Sequence, residues 1–271
     1  MTGHRGLAGA VAGLAAATGG WGIFEAGWLR TQVRDVAIPE LPAALDGVRI
    51  AHLSDFHLGV PSRGRTATRR AVEWVASREP DLVCVTGDLL SSRRGEAELF
   101  RLLERLGHPY CVLGNHDVSA ARDPFSRASA LPSVPYGELL LDRSVEVELR
   151  GLRVELAGVD PRTWMRQERS GFSEPRADLR ILLCHFPGAL DFIRTGRWHL
   201  ILAGHLHAGQ IVLPYGKGRL LLAHPSAAYP EGLFERKGTV MHVSAGTGTT
   251  FVPLRFFARP EVTELVLRRL P

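Results

Sequence analysis

The sequence predicts an α/β protein built on a mainly parallel sheet. Two observations carry that expectation. Apolar runs alternate with helical stretches in a β-α-β-α-β rhythm, and run after run ends in Asp, Asn or His. Both are habits of parallel sheets, whose crossover helices cover the faces and whose C-terminal strand ends gather ligands.

Each element can be justified in order. TQVRDVAIPELPAALDG reads as a short strand and a Pro-punctuated loop, and VRIAHLSD as a buried strand that stops at Asp55. From Arg65 to Arg78, RTATRRAVEWVASR sets Ala67, Ala71, Val72, Val75 and Ala76 on one helical face, and Pro80 ends it. DLVCVTGD is a second apolar strand ending in a carboxylate. GEAELFRLLERLG is an amphipathic helix closed by Gly107, and PYCVLGNHD is a third strand. The second half is richer in strands. SVEVELRGLRVELAGVD alternates and turns at Arg150-Gly151, which reads as a hairpin. LRILLCH and WHLILAGH each end in histidine, and KGTVMHVSAGTGTT and EVTELVLRRL add further strand-like sequence. No internal repeat, low-complexity tract or linker interrupts the run.

Composition narrows the class. Apolar residues make up 45% and charged residues 23% of 271, as in ordinary globular proteins. Lys+Arg 33 against Asp+Glu 28 gives a net charge of +5, which suits anionic partners. No basic stripe interleaved with aromatics marks a nucleic-acid groove. Cys84, Cys111 and Cys184 lie in apolar runs without a CxxC, so they are expected as buried free thiols.

The N-terminus differs from the rest. Gly6 to Phe24 carries no charge and as a helix would reach about 28 Å. A membrane anchor is the preferred reading; a cleaved signal and a helix lying on protein or lipid are the alternatives. Residues 1–29 are thus expected as an N-terminal apolar segment, with membrane association through residues 6–29, and residues 30–271 as the catalytic domain. Arg30 and Arg34 after the run against Arg5 before it favour a cytoplasmic catalytic domain, with the exported orientation as the alternative.

Chemistry enters at the strand ends: Asp55 and His57 in S-D-F-H, Asp88 in T-G-D, Asn115, His116 and Asp117 in G-N-H-D, His185 in C-H-F-P, and His205 and His207 in G-H-L-H. Carboxylate, imidazole and amide oxygen suit Mn, Fe or Zn ions, and the thiolates of a structural zinc site are missing. Any one of these motifs arises by chance. Five in order, each behind an apolar strand, point to a metal site.

That order, D-x-H, G-D, G-N-H-D, an isolated H and G-H-x-H, resembles the calcineurin-like metallophosphoesterase family. LPAALDGVRIAHLSDFHLG, GHLHAGQI, YPEGLF, VSAGTG and PLRFFARPEVTELVL resemble its bacterial branch with an N-terminal membrane or export segment, so the resemblance runs from Gln32 to Leu267. It implies a four-layered α/β/β/α sandwich holding two divalent metal ions. Asp55, His57 and His207 would bind the first ion, Asp88 would bridge, and Asn115, His185 and His205 would complete the second. His116 would contact the substrate phosphate and assist the leaving group. The implied reaction is hydrolysis of phosphomonoester, phosphodiester or pyrophosphate bonds by a metal-bridging hydroxide on a phosphate-containing small-molecule or lipid substrate; the N-terminal apolar segment narrows that expectation to a lipid-linked or cell-envelope phosphate. A nuclease or cyclic-nucleotide phosphodiesterase on the same core is the alternative; a non-catalytic scaffold would have lost ligands, and all seven positions are filled.

Two departures from the family pattern stand out. Ser91 occupies the last place of G-D-x-x-D, where an Asp can orient the G-N-H-D histidine, leaving Ser91 or Asp117 for that task. Phe186 stands where a polar residue is common and is expected to change the cleft wall and not the metal. His52 faces away from Asp55 by strand parity. His108, His199 and His242 are expected as structural or surface residues, and His224 is a candidate for the cleft. Arg63, Arg93, Arg94, Arg162 and Arg166 are loop candidates for clamping phosphate.

Overall fold

Two six-stranded sheets lie face to face and bring their strand ends to one rim. The computed structural model describes residues 2–120, 123, 124, 126, 131, 133–167, 172, 177–192, 197–216 and 218–270, with side chains from residue 10 onward. Its strands are β1 (Arg30–Ile38), β2 (Arg49–Leu53), β3 (Leu82–Thr86), β4 (Tyr110–Val112), β5 (Glu138–Leu139), β6 (Arg143–Leu149) and β7 (Leu152–Gly158). These are followed by β8 (Leu179–Leu183), β9 (Leu200–Ala203), β10 (Val212–Tyr215), β11 (Gly218–Leu221), β12 (Gly232–Arg236), β13 (Thr239–Val243) and β14 (Glu261–Arg269). The first sheet has the order β1-β14-β2-β3-β4-β5, and the second β12-β13-β9-β8-β7-β6. Both are mainly parallel, as the sequence rhythm predicts. The antiparallel pairs are β14 with β2, β12 with β13, and β6 with β7.

Burial explains the apolar runs. β3 and β9 are buried along their whole length and β2 nearly so, and a strand covered on both faces loses its polar alternation. Ile50, Leu82, Cys84 and Val112 of the first sheet meet Val154, Ile181, Leu183, Leu200 and Leu202 of the second in a common core. The other face of the first sheet is covered by α2 (Gly64–Arg78) and α3 (Glu96–Arg105), following α1 (Thr2–Ala26) in the chain. The other face of the second is covered by Trp198, the one-turn helices α4 (Pro161–Met165) and α5 (Ala189–Phe192), and adjoining loops. This is the α/β/β/α layering that the resemblance implies, with one outer layer reduced to short helices. The three cysteines are free and buried.

Some elements depart from expectation. Strands β5 and β12 and the β10–β11 hairpin have no counterpart in the sequence reading; they are short and largely exposed, so their side chains carry little hydrophobic pattern. The expectation of a membrane-spanning anchor within residues 6–29 is not supported. That stretch is helical, but among the described residues no helix is long and apolar enough to cross a membrane, because its Gly and Ala content keeps it weakly hydrophobic. Its last turn is joined to the protein instead: Arg255 N donates to Gly22 O (3.0 Å) and Ala258 N to Glu25 Oε1 (2.8 Å). Trp21, Phe24 and Trp28 remain exposed, their rings in mutual contact.

Candidate metal centre

The strand ends converge across the seam between the sheets. Asp55 and His57 follow β2, Asp88 follows β3, and Asn115 and His116 follow β4; His185 follows β8, and His205 and His207 follow β9. Three groups of side chains bring their ligand atoms close enough to hold a metal ion: Asp55, His57 and His207; His57, Asp88 and His116; and Asp88, His185 and His205. The two histidines of G-H-L-H therefore join different groups, and Asp88 belongs to two.

Asp88 is the hub. Its Oδ2 lies 3.2 Å from His185 Nε2, 3.5 Å from His57 Nε2 and 3.9 Å from His116 Nε2. Its Oδ1 accepts the His116 backbone N–H at 2.9 Å, which fixes the carboxylate. Across the site, His57 Nε2 and His207 Nε2 are 3.1 Å apart, as are His185 Nε2 and His205 Nδ1. His205 N donates to both oxygens of Asp55.

Hydrogen bonds on the far sides of the rings decide which nitrogens face inward. His185 Nδ1 lies 2.8 Å from Thr86 O, a pure acceptor, so Nδ1 carries the proton and the Nε2 lone pair faces the Asp88 carboxylate. Two acceptors 3.2 Å apart call for a positive charge between them. In the metal-free protein a proton fills that need: burial disfavours a charged His185, but the neighbouring Asp88 outweighs it and pushes the group up to about 9. Burial pushes His57 and His205 down to about 3, keeping them neutral and able to offer a lone pair. Burial likewise pushes Asp55 up to about 6. Asn115 Oδ1 is buried without a hydrogen-bond partner, and an orphaned amide oxygen is costly unless something accepts its lone pairs. This donor set fits a divalent cation.

Local backbone makes the convergence possible. Asp55, His57, Asp88, His205 and His207 all have positive φ (55°, 47°, 51°, 78° and 49°). Asp and His tolerate this region better than most residues, at a cost of order 1 kcal/mol each. Gly204, where the chain leaves β9, has no room for a side chain, because a Cβ there would run into Ser54 Oγ and the Asp55 carboxylate.

The departures from the family pattern resolve in geometry. Ser91 Oγ bonds His57 Nδ1 (2.9 Å), not His116. Asp117 accepts the backbone N–H groups of Leu89, Leu90 and Gly114, and so braces the loops. His116 Nδ1 instead meets Ser126 Oγ at 2.9 Å, and Ser126 Oγ donates its proton to Ser91 O. Phe186 stacks on Trp164 and sets its edge against His205, forming cleft wall as expected. His224, half-buried, lies beside His205. His52 and His242 are fully buried partners outside the metal groups. His108 is exposed and His199 accepts the Arg180 N–H. Of the arginines expected in loops, Arg162 lies in α4 and pairs with Asp160 at 2.6 Å, and Arg63 packs on Gly27.

Arg255 is the residue sequence reasoning missed. Fully buried, it sets Nη2 3.1 Å from His207 Nδ1 and donates from Nη2 to the carbonyls of Ala245 and Gly248 and from Nη1 to that of Ala258. Its signal was an arginine inside the apolar-aromatic string PLRFFA. Ser126 had no signal, being one serine among several in its loop.

Comparison with known proteins agrees with this geometry. Residues 48–209 match the calcineurin-like phosphoesterase family. The chain is 28% identical over 97% of its length, and 96% of the relative, to the uncharacterized metallophosphoesterase YkuE of Bacillus subtilis. It is 33% and 34% identical, over 88% of its length, to proteins of Bos taurus and Danio rerio named transmembrane protein with metallophosphoesterase domain. It spans 56% and 57% of those two relatives.

Proposed function

Since this chain belongs to the calcineurin-like phosphoesterase family and is a phosphoester hydrolase, we propose that two divalent ions occupy its centre and serve hydrolysis of phosphomonoester, phosphodiester or pyrophosphate bonds. Asp55, His57 and His207 would hold one ion, Asn115, His185 and His205 the other, and Asp88 both. The observation that carries this reading is the Asp88 carboxylate, faced by imidazole nitrogens from both sheets and shared between two ligand groups. When bound, such ions supply positive charge against the developing phosphoryl charge and make water acidic enough to react near neutral pH.

The chain's own groups do the rest. Ser126 accepts the Nδ1 proton of His116, so the His116 Nε2 is turned to the cluster and can hold a proton for the departing oxygen. Ser91 Oγ anchors the His57 ring at Nδ1, and the Thr86 carbonyl holds His185 in the tautomer that presents Nε2 inward. The catalytic unit is taken as residues 30–271, because β1 and β14 pair within the sheet that carries Asp55 and Asp88. The exposed Trp21, Phe24 and Trp28 support contact of residues 6–29 with a lipid surface, which would bring a lipid-linked phosphate within reach; the cytoplasmic side for the catalytic unit rests on Arg30 and Arg34 after the run against Arg5 before it.

The test is metal titration followed by hydrolysis. Metal-free protein should take up two Mn²⁺ in calorimetry and then cleave bis-p-nitrophenyl phosphate or p-nitrophenyl phosphate. His207→Ala should lose one binding event and lower turnover by orders of magnitude. Wild-type turnover in that variant, or one ion per fully active chain, contradicts the assignment.

A further inference from the structure

Beside the metal centre lies an open cavity of about 480 Å³ whose rim includes His205 and Leu206 of the G-H-L-H loop. Because it shares a ligand residue with the centre, it adjoins the place where a phosphate would bind and is within reach of a group carried on that phosphate's ester arm. Its walls are aromatic. Trp164 and Phe186 stack at 5.9 Å with their planes 15° apart, and Phe186 leads directly to His205, 4.8 Å between centroids. His224 and Tyr229 close the other side.

The electrostatics of this cavity contrast with those of the centre. Among the described residues no Lys or Arg lines it, and the one carboxylate among them, Asp191, is already held by Tyr229 Oη (2.9 Å) and by Arg236. A second phosphate would meet no counter-charge from those residues. A flat uncharged ring, by contrast, gains offset or edge contacts with such walls beyond simple burial. Flexible acyl chains gain apolar burial but none of that ring geometry, and lose more rotamer freedom on ordering.

We propose that the cavity bounded by Trp164, Phe186 and Tyr229 is the substrate-selecting pocket and that it takes an uncharged planar ring, aryl or nucleobase, carried on the ester arm of the phosphate. The inference rests on the phosphoesterase reading and names its substrate class. It also gives Phe186 a task that metal chemistry leaves open.

Binding of inert phosphonates tests it without turnover. Calorimetry on the Mn²⁺-loaded protein would compare methylphosphonate, n-hexylphosphonate, phenylphosphonate and the adenine-bearing 9-(2-phosphonomethoxyethyl)adenine. Phenylphosphonate should bind at least tenfold more tightly than methylphosphonate and severalfold more tightly than its six-carbon n-hexyl match. A further gain for the adenine compound supports a nucleobase, and a loss relative to phenyl supports an aryl ester. Phe186→Leu and Trp164→Leu, which keep apolar bulk, should each reduce the phenyl-to-methyl ratio to about twofold. Equal affinity for methyl and phenyl, tighter n-hexyl binding, or an unchanged ratio in both variants overturns the pocket assignment. Loss of all ester hydrolysis with ring preference intact would instead remove the phosphoesterase reading, so the two failures are distinguishable.

Discussion

His116 is held from one side only, and that asymmetry has a kinetic signature. Its Nδ1 is anchored by Ser126, while Nε2, 3.9 Å from Asp88 Oδ2, has no hydrogen bond among the described residues. A group that protonates a leaving oxygen matters most when that oxygen is basic. His116→Ala should therefore cost about 10²- to 10⁴-fold with an alkyl leaving group and far less with p-nitrophenolate. Steady-state rates over a series of leaving groups check this, and a uniform loss would deny the proton-donor role. At this scale the sequence was an uneven guide. Asp55, His57, Asp88, Asn115, His185, His205 and His207 were legible because each follows an apolar strand in a fixed motif. The partners of those residues were not. A serine that accepts one ring proton, or a buried arginine bonded chiefly to carbonyl oxygens, is chosen by three-dimensional proximity and leaves no periodic trace.

Among the elements, α3 offers the cleanest separation of backbone from packing. It is amphipathic, with Leu99 and Leu103 buried, and it ends where Gly107 turns at φ 84° and donates to Glu104 O (3.1 Å). A Cβ at Gly107 would meet nothing within 4 Å, so Gly107→Ala changes only conformational cost. It should lower stability by about 1 kcal/mol in urea denaturation and leave metal binding as it was. α2, α3 and the buried strands were readable in sequence because burial on one face, or on two, writes a period into the residues. α1 shows the limit of that legibility: an uncharged run of Gly and Ala satisfies the length of a spanning helix without its hydrophobicity. The contact of Glu25 with Ala258, 233 positions away, is invisible in a local window.

For the whole molecule, the two sheets are joined in their interior by polar as well as apolar contact. His52 on β2 meets His242 on β13 at 2.7 Å between Nδ1 atoms, and His52 Nε2 lies 2.9 Å from Thr86 Oγ1. Burial pushes His52 down to about 3 and His242 well below its ordinary value. In the unfolded chain both take up protons near pH 6.5, so between there and pH 3 the unfolded state binds more protons. Stability from this pair is fully present above pH 6.5 and falls as pH drops below it, by about 1.4 kcal/mol per pH unit for each histidine. Urea denaturation of metal-free protein at pH 7.5 and 5.5 should show stability falling with pH, and a His52→Gln/His242→Gln variant should show a shallower fall, the remainder coming from His57 and His205, which burial lowers in the same sense. An equal slope in the variant would mean other groups govern the acid limb.

The left-handed backbone at Asp55, His57, Asp88, His205 and His207 makes the turns themselves part of the aiming device. Those conformations are held by the strands that precede them and by loop hydrogen bonds such as Asp55 N to Gly87 O and His57 N to Asp88 O, both 2.9 Å. A ligand's position is therefore written into main chain as well as side chain, and relaxing one of these turns from a neighbouring position would misdirect a ligand atom while leaving its residue intact.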